Sequence, residues 1–311
     1  MKKITEGPAA VDRSAPAQRP QTTIQWSVTQ PRYTMEDILL DEATRAQLLD
    51  VVSYFQNQEL LFHRWGLAER FSSQSGLAVN LYGPPGTGKT MAAHAITSAL
   101  EKQMICVDYA EIESKYVGET SKNLSRLFQT AKEQDTVIFF DEADALLSKR
   151  VTNMTSATDV SVNQTRSVLL NLLNQYQGVI LFATNFIQNF DAAFLRRIKY
   201  HIPFHLPDEA IRERLWRMYI PEKMPCRADC GDLARKFPGV SGSDIANAVF
   251  AAAVGAARDS EPVVSQRRFE DAIQHCLAVK RANQGQAVTV SKRIVSEQEV
   301  QQQLGREALE K

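Results

Sequence analysis

Residues 78–90 read AVNLYGPPGTGKT, and this stretch decides the fold. Its first part, Ala78–Tyr82, is a short apolar run. Its second part, GPPGTGKT at 83–90, opens a helical pattern over Lys89–Glu101. Strand, glycine-rich turn and helix in that order make a phosphate-binding loop. Gly86 and Gly88 allow backbone N–H groups to close around phosphate oxygens, with Pro85, Thr87 and Met91 beside them, and the helix start adds a favourable dipole. Lys89 is the cation expected at the β- and γ-phosphates, and the Thr90 hydroxyl is the expected Mg²⁺ ligand.

Two further stretches downstream support this reading. VIFFDEAD, residues 137–144, is an apolar run ending in two acids. Asp141 at the strand end would hold Mg²⁺ through water, and Glu142 would polarise the attacking water. Carboxylates at the carboxyl end of a parallel strand sit at the ligand crevice of an open α/β sheet. VILFATN, residues 179–185, is another buried run, ending on Asn185. Its amide can hydrogen-bond the attacking water or the γ-phosphate; standing alone it would read as a turn residue.

The whole chain has 311 residues, 44% hydrophobic and 23% charged, with 36 Lys+Arg against 36 Asp+Glu. That is enough apolar sequence for a sizeable core. The balanced charge argues against a broadly basic nucleic-acid or anionic-membrane binder. No run reaches the ~18 apolar residues of a membrane span, and the start, MKKITEGPAA, lacks the apolar core of a signal peptide. Four cysteines point to a reducing compartment, so a cytoplasmic protein is expected. Cys226, Cys230 and the pair His275-Cys276 match no common zinc spacing and read as ordinary thiols.

Four segments are expected. Residues 1–34 are polar and proline-rich and read as a flexible tail, although Ile24, Trp26 and Val28 alternate as a short strand would. Residues 35–206 alternate short apolar runs (78–82, 104–107, 137–140, 179–183, 200–204) with helical stretches (89–101, 121–133, 163–176, 192–197). This is the pattern of an α/β domain whose parallel sheet is covered on both faces. Residues 207–279 show no strand pattern and read as a small helical lid, with a helix capped by Asp208 and others starting near Asp229, Ser243 and Ser265. Residues 280–311 form a polar tail.

The order GPPGTGKT, FFDEAD, ATN and then Arg196-Arg197 resembles the AAA+ ATPases. The resemblance spans residues 35–279. It implies ATP and Mg²⁺ as cofactors, strand order 5-1-4-3-2, a helical lid and assembly into a homohexameric ring with ATP between subunits. It also assigns roles. FDAAFLRRIKYHIPF, residues 190–204, is similar to the arginine-finger segment, with Arg196 as the first finger. The second finger is open between Arg197 and Lys199, which lacks the guanidinium fork. GVSGSDI, residues 239–245, resembles the start of the lid helix that meets ribose and base, through Gly242 and Ser243. Tyr219, Asp37 and Leu39 fall at positions that meet the adenine. No arginine occurs between Gly239 and Ala257, which argues against the clamp-loader and initiator branches.

SKYVGETSKNL, residues 114–124, resembles the substrate-gripping pore loop of the family's unfoldases, with Tyr116-Val117 as the aromatic–aliphatic pair. The chain as a whole is similar to bacterial HORMA-remodelling ATPases of CBASS antiphage operons. That likeness implies a protein client, a HORMA-domain protein bound to a CD-NTase nucleotidyltransferase, and a restraining role in antiviral defence. Two rival readings are a nucleic-acid motor and a scaffold that binds ATP but scarcely hydrolyses it. The neutral charge and the aromatic loop oppose the first, and Glu142 with Arg196 opposes the second.

Overall fold

A computed structural model describes residues 26–70, 76–108, 112, 119–148, 157–185 and 190–284. The α/β part runs β1 (Val28–Thr29), α1 (Glu42–Gln56), β2 (Leu77–Tyr82), α2 (Lys89–Ala99), β3 (Met104–Val107), α3 (Glu119–Glu133) and β4 (Val137–Phe140). It continues with α4 (Asp144–Leu147), α5 (Ala157–Gln175), β5 (Val179–Thr184), α6 (Ala192–Leu195) and β6 (Tyr200–Pro203). The helical part follows as α7 (Glu209–Tyr219), β7 (Cys226–Arg227), α8 (Cys230–Lys236), α9 (Gly242–Arg258), β8 (Val264–Ser265) and α10 (Gln266–Gln284).

The sheet order is β1-β3-β4-β5-β2-β6. Counted from the phosphate-loop strand, the five parallel strands run 5-1-4-3-2, as expected; the sixth, β1, is an antiparallel addition at the edge beside β3. The strands lack the polar alternation of a one-sided sheet because both faces are covered. Ile138 and Phe140 of β4 point into one core with Leu124, Leu127 and Phe128 of α3. Val137 and Phe139 point into the other, with Ala92, Ala95 and Ile96 of α2 and Leu48 and Val51 of α1. Phe140 and Phe182 stack across β4 and β5 with ring centroids 5.2 Å apart. The small side chains of α2 let that helix lie close on the sheet, which fixes the loop before it.

The stretch read as a tail to residue 34 contributes structure from Trp26 onward. Val28 and Thr29 pair with Ile105 and Met104, and Trp26 is buried in the core that holds Ile105. The helical part has its own core of Leu215, Trp216, Leu233, Ile245, Val249, Phe269 and Ile273. There the expectation of no strands is corrected: Cys226 and Arg227 pair in parallel with Val264 and Ser265. Strands of two residues leave no period to detect. Asp208 caps α7 as expected, accepting from Ile211 N at 2.8 Å, and Asp229, where a helix was expected to start, caps α8 by accepting from Asp232 N at 3.0 Å. Among the described residues no helix is long and apolar enough to cross a membrane.

Candidate nucleotide site

A cavity of about 500 Å³ lies between the carboxyl ends of the central strands and the helical part. Its floor is the loop 83–90. Gly88, at φ +99°, precedes the first turn of α2, and a Cβ placed on it would meet nothing within 4 Å, so the space in front of that helix is open. This is room for phosphate at a helix N-terminus. Pro85, Gly86, Thr87, Gly88, Lys89, Thr90 and Met91 all line the cavity.

Lys89 opens α2 and is buried. Its Nζ donates to Gly83 O at 2.7 Å, Pro84 O at 2.9 Å and Asn185 Oδ1 at 3.0 Å. All three acceptors are neutral. Burial therefore lowers the ammonium's pKa, with Asp141 and Asp144 acting in the opposite direction. A buried cation held by neutral oxygens retains a strong electrostatic demand for an anion.

Asp141 follows β4, and its Oδ2 accepts from Thr90 Oγ1 at 2.9 Å. A hydroxyl and a carboxylate side by side are the hard oxygen donors that suit Mg²⁺, which takes only one or two protein ligands and fills its shell with phosphate and water. Among the described residues no group of three or more His, Cys, Asp or Glu could hold a metal ion, and all four cysteines are free thiols. Glu142 lines the cavity and is exposed, with its backbone in the left-handed region at φ 49°. A non-glycine residue there is strained, and such strain gathers at functional sites.

Asn185 is positioned by a residue to which the sequence reading gave no role. Its N–H donates to both oxygens of Asp144, at 3.2 and 3.1 Å. Asp144 lies one turn after Asp141, and that spacing was the available signal.

The opposite wall is built from distant segments. Asp37 and Leu39 line it. The Asp37 carboxylate accepts from Thr34 N at 2.7 Å and Thr34 Oγ1 at 2.9 Å, and these bonds hold its pKa below the ordinary value. Tyr219, Gly242 and Ser243 also line it. Burial raises the pKa of the Tyr219 phenol, with Tyr33 adding to the effect. Ser243 N donates to Gly86 O at 3.3 Å, so this wall touches the phosphate loop directly. Ile211, Leu215 and Met218 on α7 also line the cavity. Their helical spacing was visible in the sequence, but which way they faced was not.

Arg196 and Arg197 do not line the cavity. Arg196 is exposed at the end of α6. Arg197 is engaged within the chain, its Nε donating to Asn174 Oδ1 and its Nη1 to Ala193 O, both at 2.9 Å. Lys199 donates to Tyr54 Oη at 3.3 Å. Tyr116 and Val117 lie outside the described residues.

Residues 79–206 match the family described as "ATPase family associated with various cellular activities (AAA)". This part of the chain is an AAA ATPase domain. The chain is 36% identical over 225 residues to the 26S proteasome regulatory subunit 8 homolog of Saccharomyces cerevisiae, covering 69% of this chain and 54% of that protein. It is 32% identical over 222 residues to the ATPase family gene 2 protein of Schizosaccharomyces pombe, covering 69% and 26%. It is 31% identical over 204 residues to the ATP-dependent zinc metalloprotease FtsH of Ureaplasma parvum serovar 3, covering 64% and 28%. The chain thus spans from about a quarter to about half the length of these relatives.

Proposed function

We propose that the protein is an ATP-hydrolysing ring motor, a homohexamer in the cytoplasm, that remodels or dismantles protein complexes. The observation that carries the reading is the division of charged groups. Lys89, Thr90, Asp141, Glu142 and Asn185 share one cavity, whereas Arg196 stands exposed away from it. Among the described residues no arginine lines the cavity, and a neighbouring copy can supply one.

Lys89 and the loop amides hold the β- and γ-phosphates. Thr90 and, through water, Asp141 would hold Mg²⁺, which would supply charge neutralisation for the phosphates. Glu142 orients a water and takes its proton as the water oxygen bonds to the γ-phosphorus and the bridging oxygen leaves with ADP. Asn185, fixed by Asp144, steadies the γ-phosphate side. Arg196 of a neighbouring copy stabilises the charge that builds in the transition state, and the second finger stays open between Lys199 and Arg197, whose guanidinium is bonded to Asn174 and Ala193. Asp37, Leu39, Tyr219, Gly242 and Ser243 enclose the base and ribose.

Names of relatives that include a proteasome regulatory subunit and an ATP-dependent protease support a polypeptide client. Tyr116 and Val117 would grip that client in the central pore. As its identity we propose a HORMA-domain protein bound to a nucleotidyltransferase, with release of the pair restraining CBASS signalling. The test is Glu142→Gln, which keeps the cradle but removes the base. It should bind ATP with wild-type affinity, lose steady-state hydrolysis and retain its client through purification. Normal turnover in this variant removes Glu142 from the reaction. Co-purification with a client other than a HORMA protein replaces the partner but leaves the motor.

A further inference from the structure

Ser241, Asp244 and Lys280 form a chain of contacts that ends on the phosphate loop. Ser241 is buried and caps α9. Its Oγ accepts from Asp244 N at 3.3 Å, while the Asp244 carboxylate accepts from Ser241 N at 2.7 Å and Ser241 Oγ at 2.8 Å. The Asp244 side chain is only 8% exposed and is paired with Lys280, one turn before the end of α10. The cap in turn rests on the loop. A Cβ on Gly86 would lie 2.6 Å from Ser241 Oγ and 2.9 Å from Ser243 Oγ, and Ser243 N donates to Gly86 O.

We propose that Lys280 is a positioning residue for the nucleotide: by pairing with Asp244 it keeps the first turn of α9 seated against Gly86. A buried carboxylate that loses its cation must take up a proton or admit water, and either change loosens the cap. Burial opposes the ionisation of Asp244, but hydrogen bonds from Lys280 and Ser241 outweigh it and keep the carboxyl below its ordinary pKa. The packing of α9 on α10 does not depend on this pair, because Ile245, Ala248, Val249, Phe269 and Ile273 share one buried core. Lys280 therefore acts on the loop through the cap rather than by holding the two helices together. The inference rests on the nucleotide reading given above.

Calorimetric titration with ATP and thermal melting, on wild type, Lys280→Ala, Lys280→Arg, Asp244→Asn, the Asp244→Asn/Lys280→Ala double variant and Lys89→Ala, test it. Lys280→Ala should raise the ATP Kd about five- to fifty-fold, within the roughly 5–150-fold range of coupling between linked sites, with a melting temperature within a few degrees of wild type. Lys280→Arg should restore the affinity. Adding Lys280→Ala to Asp244→Asn should cost nothing more. If Lys280→Ala fails to fold, Lys280→Met, which keeps the aliphatic stem, carries the same comparison. A wild-type Kd in Lys280→Ala overturns the proposal, as does a full additional loss in the double variant. If wild type itself binds no ATP, the nucleotide reading falls and this one with it. If wild type binds, Lys89→Ala does not, and Lys280→Ala matches wild type, only the positioning role is lost.

Discussion

The two walls of the cavity are built on different plans. The phosphate wall is one short stretch, 83–90, held by strand β2 on one side and by the small buried residues of α2 on the other. The facing wall gathers Asp37, Leu39, Tyr219, Gly242 and Ser243 from three separate parts of the chain, and most of it belongs to a domain with its own core. The first wall is rigid because the sheet is. The second is only as fixed as the contact between the domains. Binding strength should therefore reside in the phosphate wall, and adjustment in the other.

Variants on each side can break or sharpen this contrast. Lys89→Ala should have the largest effect. It removes the buried cation that the proposed function sets against the phosphates, and truncating one member of a buried charge pair costs about 2–5 kcal/mol, or at least some thirty-fold in affinity. Calorimetry should find ATP binding below detection, with the melting temperature largely kept.

Arg196→Ala comes next. It should leave affinity almost unchanged yet cut turnover by roughly 10³-fold or more. Mixing it with Glu142→Gln should restore part of the activity, since an intact Glu142 and an intact Arg196 can then meet across an interface. No recovery at any mixing ratio, with co-assembly verified, counts against action between copies.

On the facing wall, Tyr219→Ala should weaken binding only about two- to ten-fold, the scale of one aromatic contact. A loss as complete as that of Lys89→Ala would break the contrast between the walls.

The smallest effect is in acid. Asp244 has a folded pKa below its ordinary value, so its contribution to the helical domain is present above the unfolded pKa of about 3.9 and is lost as pH falls through the folded one. Melting curves of wild type and Asp244→Asn should differ at about pH 6, and the gap should narrow as pH falls below the unfolded pKa of about 3.9.

The phosphate wall was legible in the sequence because its chemistry is contiguous: GPPGTGKT and the strand-end acids carry their context with them. The facing wall was legible only through the family resemblance, at Asp37, Leu39, Tyr219, Gly242 and Ser243. Ile211, Leu215 and Met218 look like any amphipathic helix face. Whether such a face meets its own core or a cavity is decided by how two domains dock, which no local pattern encodes. Asp144 was visible as the last letter of VIFFDEAD, but its bond to Asn185 joins two strands. Helix α5 begins at Ala157 rather than near Asn163, because Thr158, Val160, Ser161 and Val162 have modest helix propensity and give the sequence no clear start signal. The alternation of Ile24, Trp26 and Val28 hinted at a strand, but a two-residue strand in a polar, proline-rich context leaves too short a periodic trace to outweigh the reading as a tail.

That short strand has a further consequence. With Val28 and Thr29 in place, β3 is hydrogen-bonded on both sides. Cutting the chain at Met35, the boundary that composition suggests, would bare a row of backbone donors and acceptors on β3, beside the hole left by Trp26. An open sheet edge next to exposed apolar surface is a template for pairing with other chains. Solubility on shortening the protein is thus set by two residues that look dispensable, and a fragment meant to isolate the catalytic domain should begin before Trp26 if it is to stay dispersed.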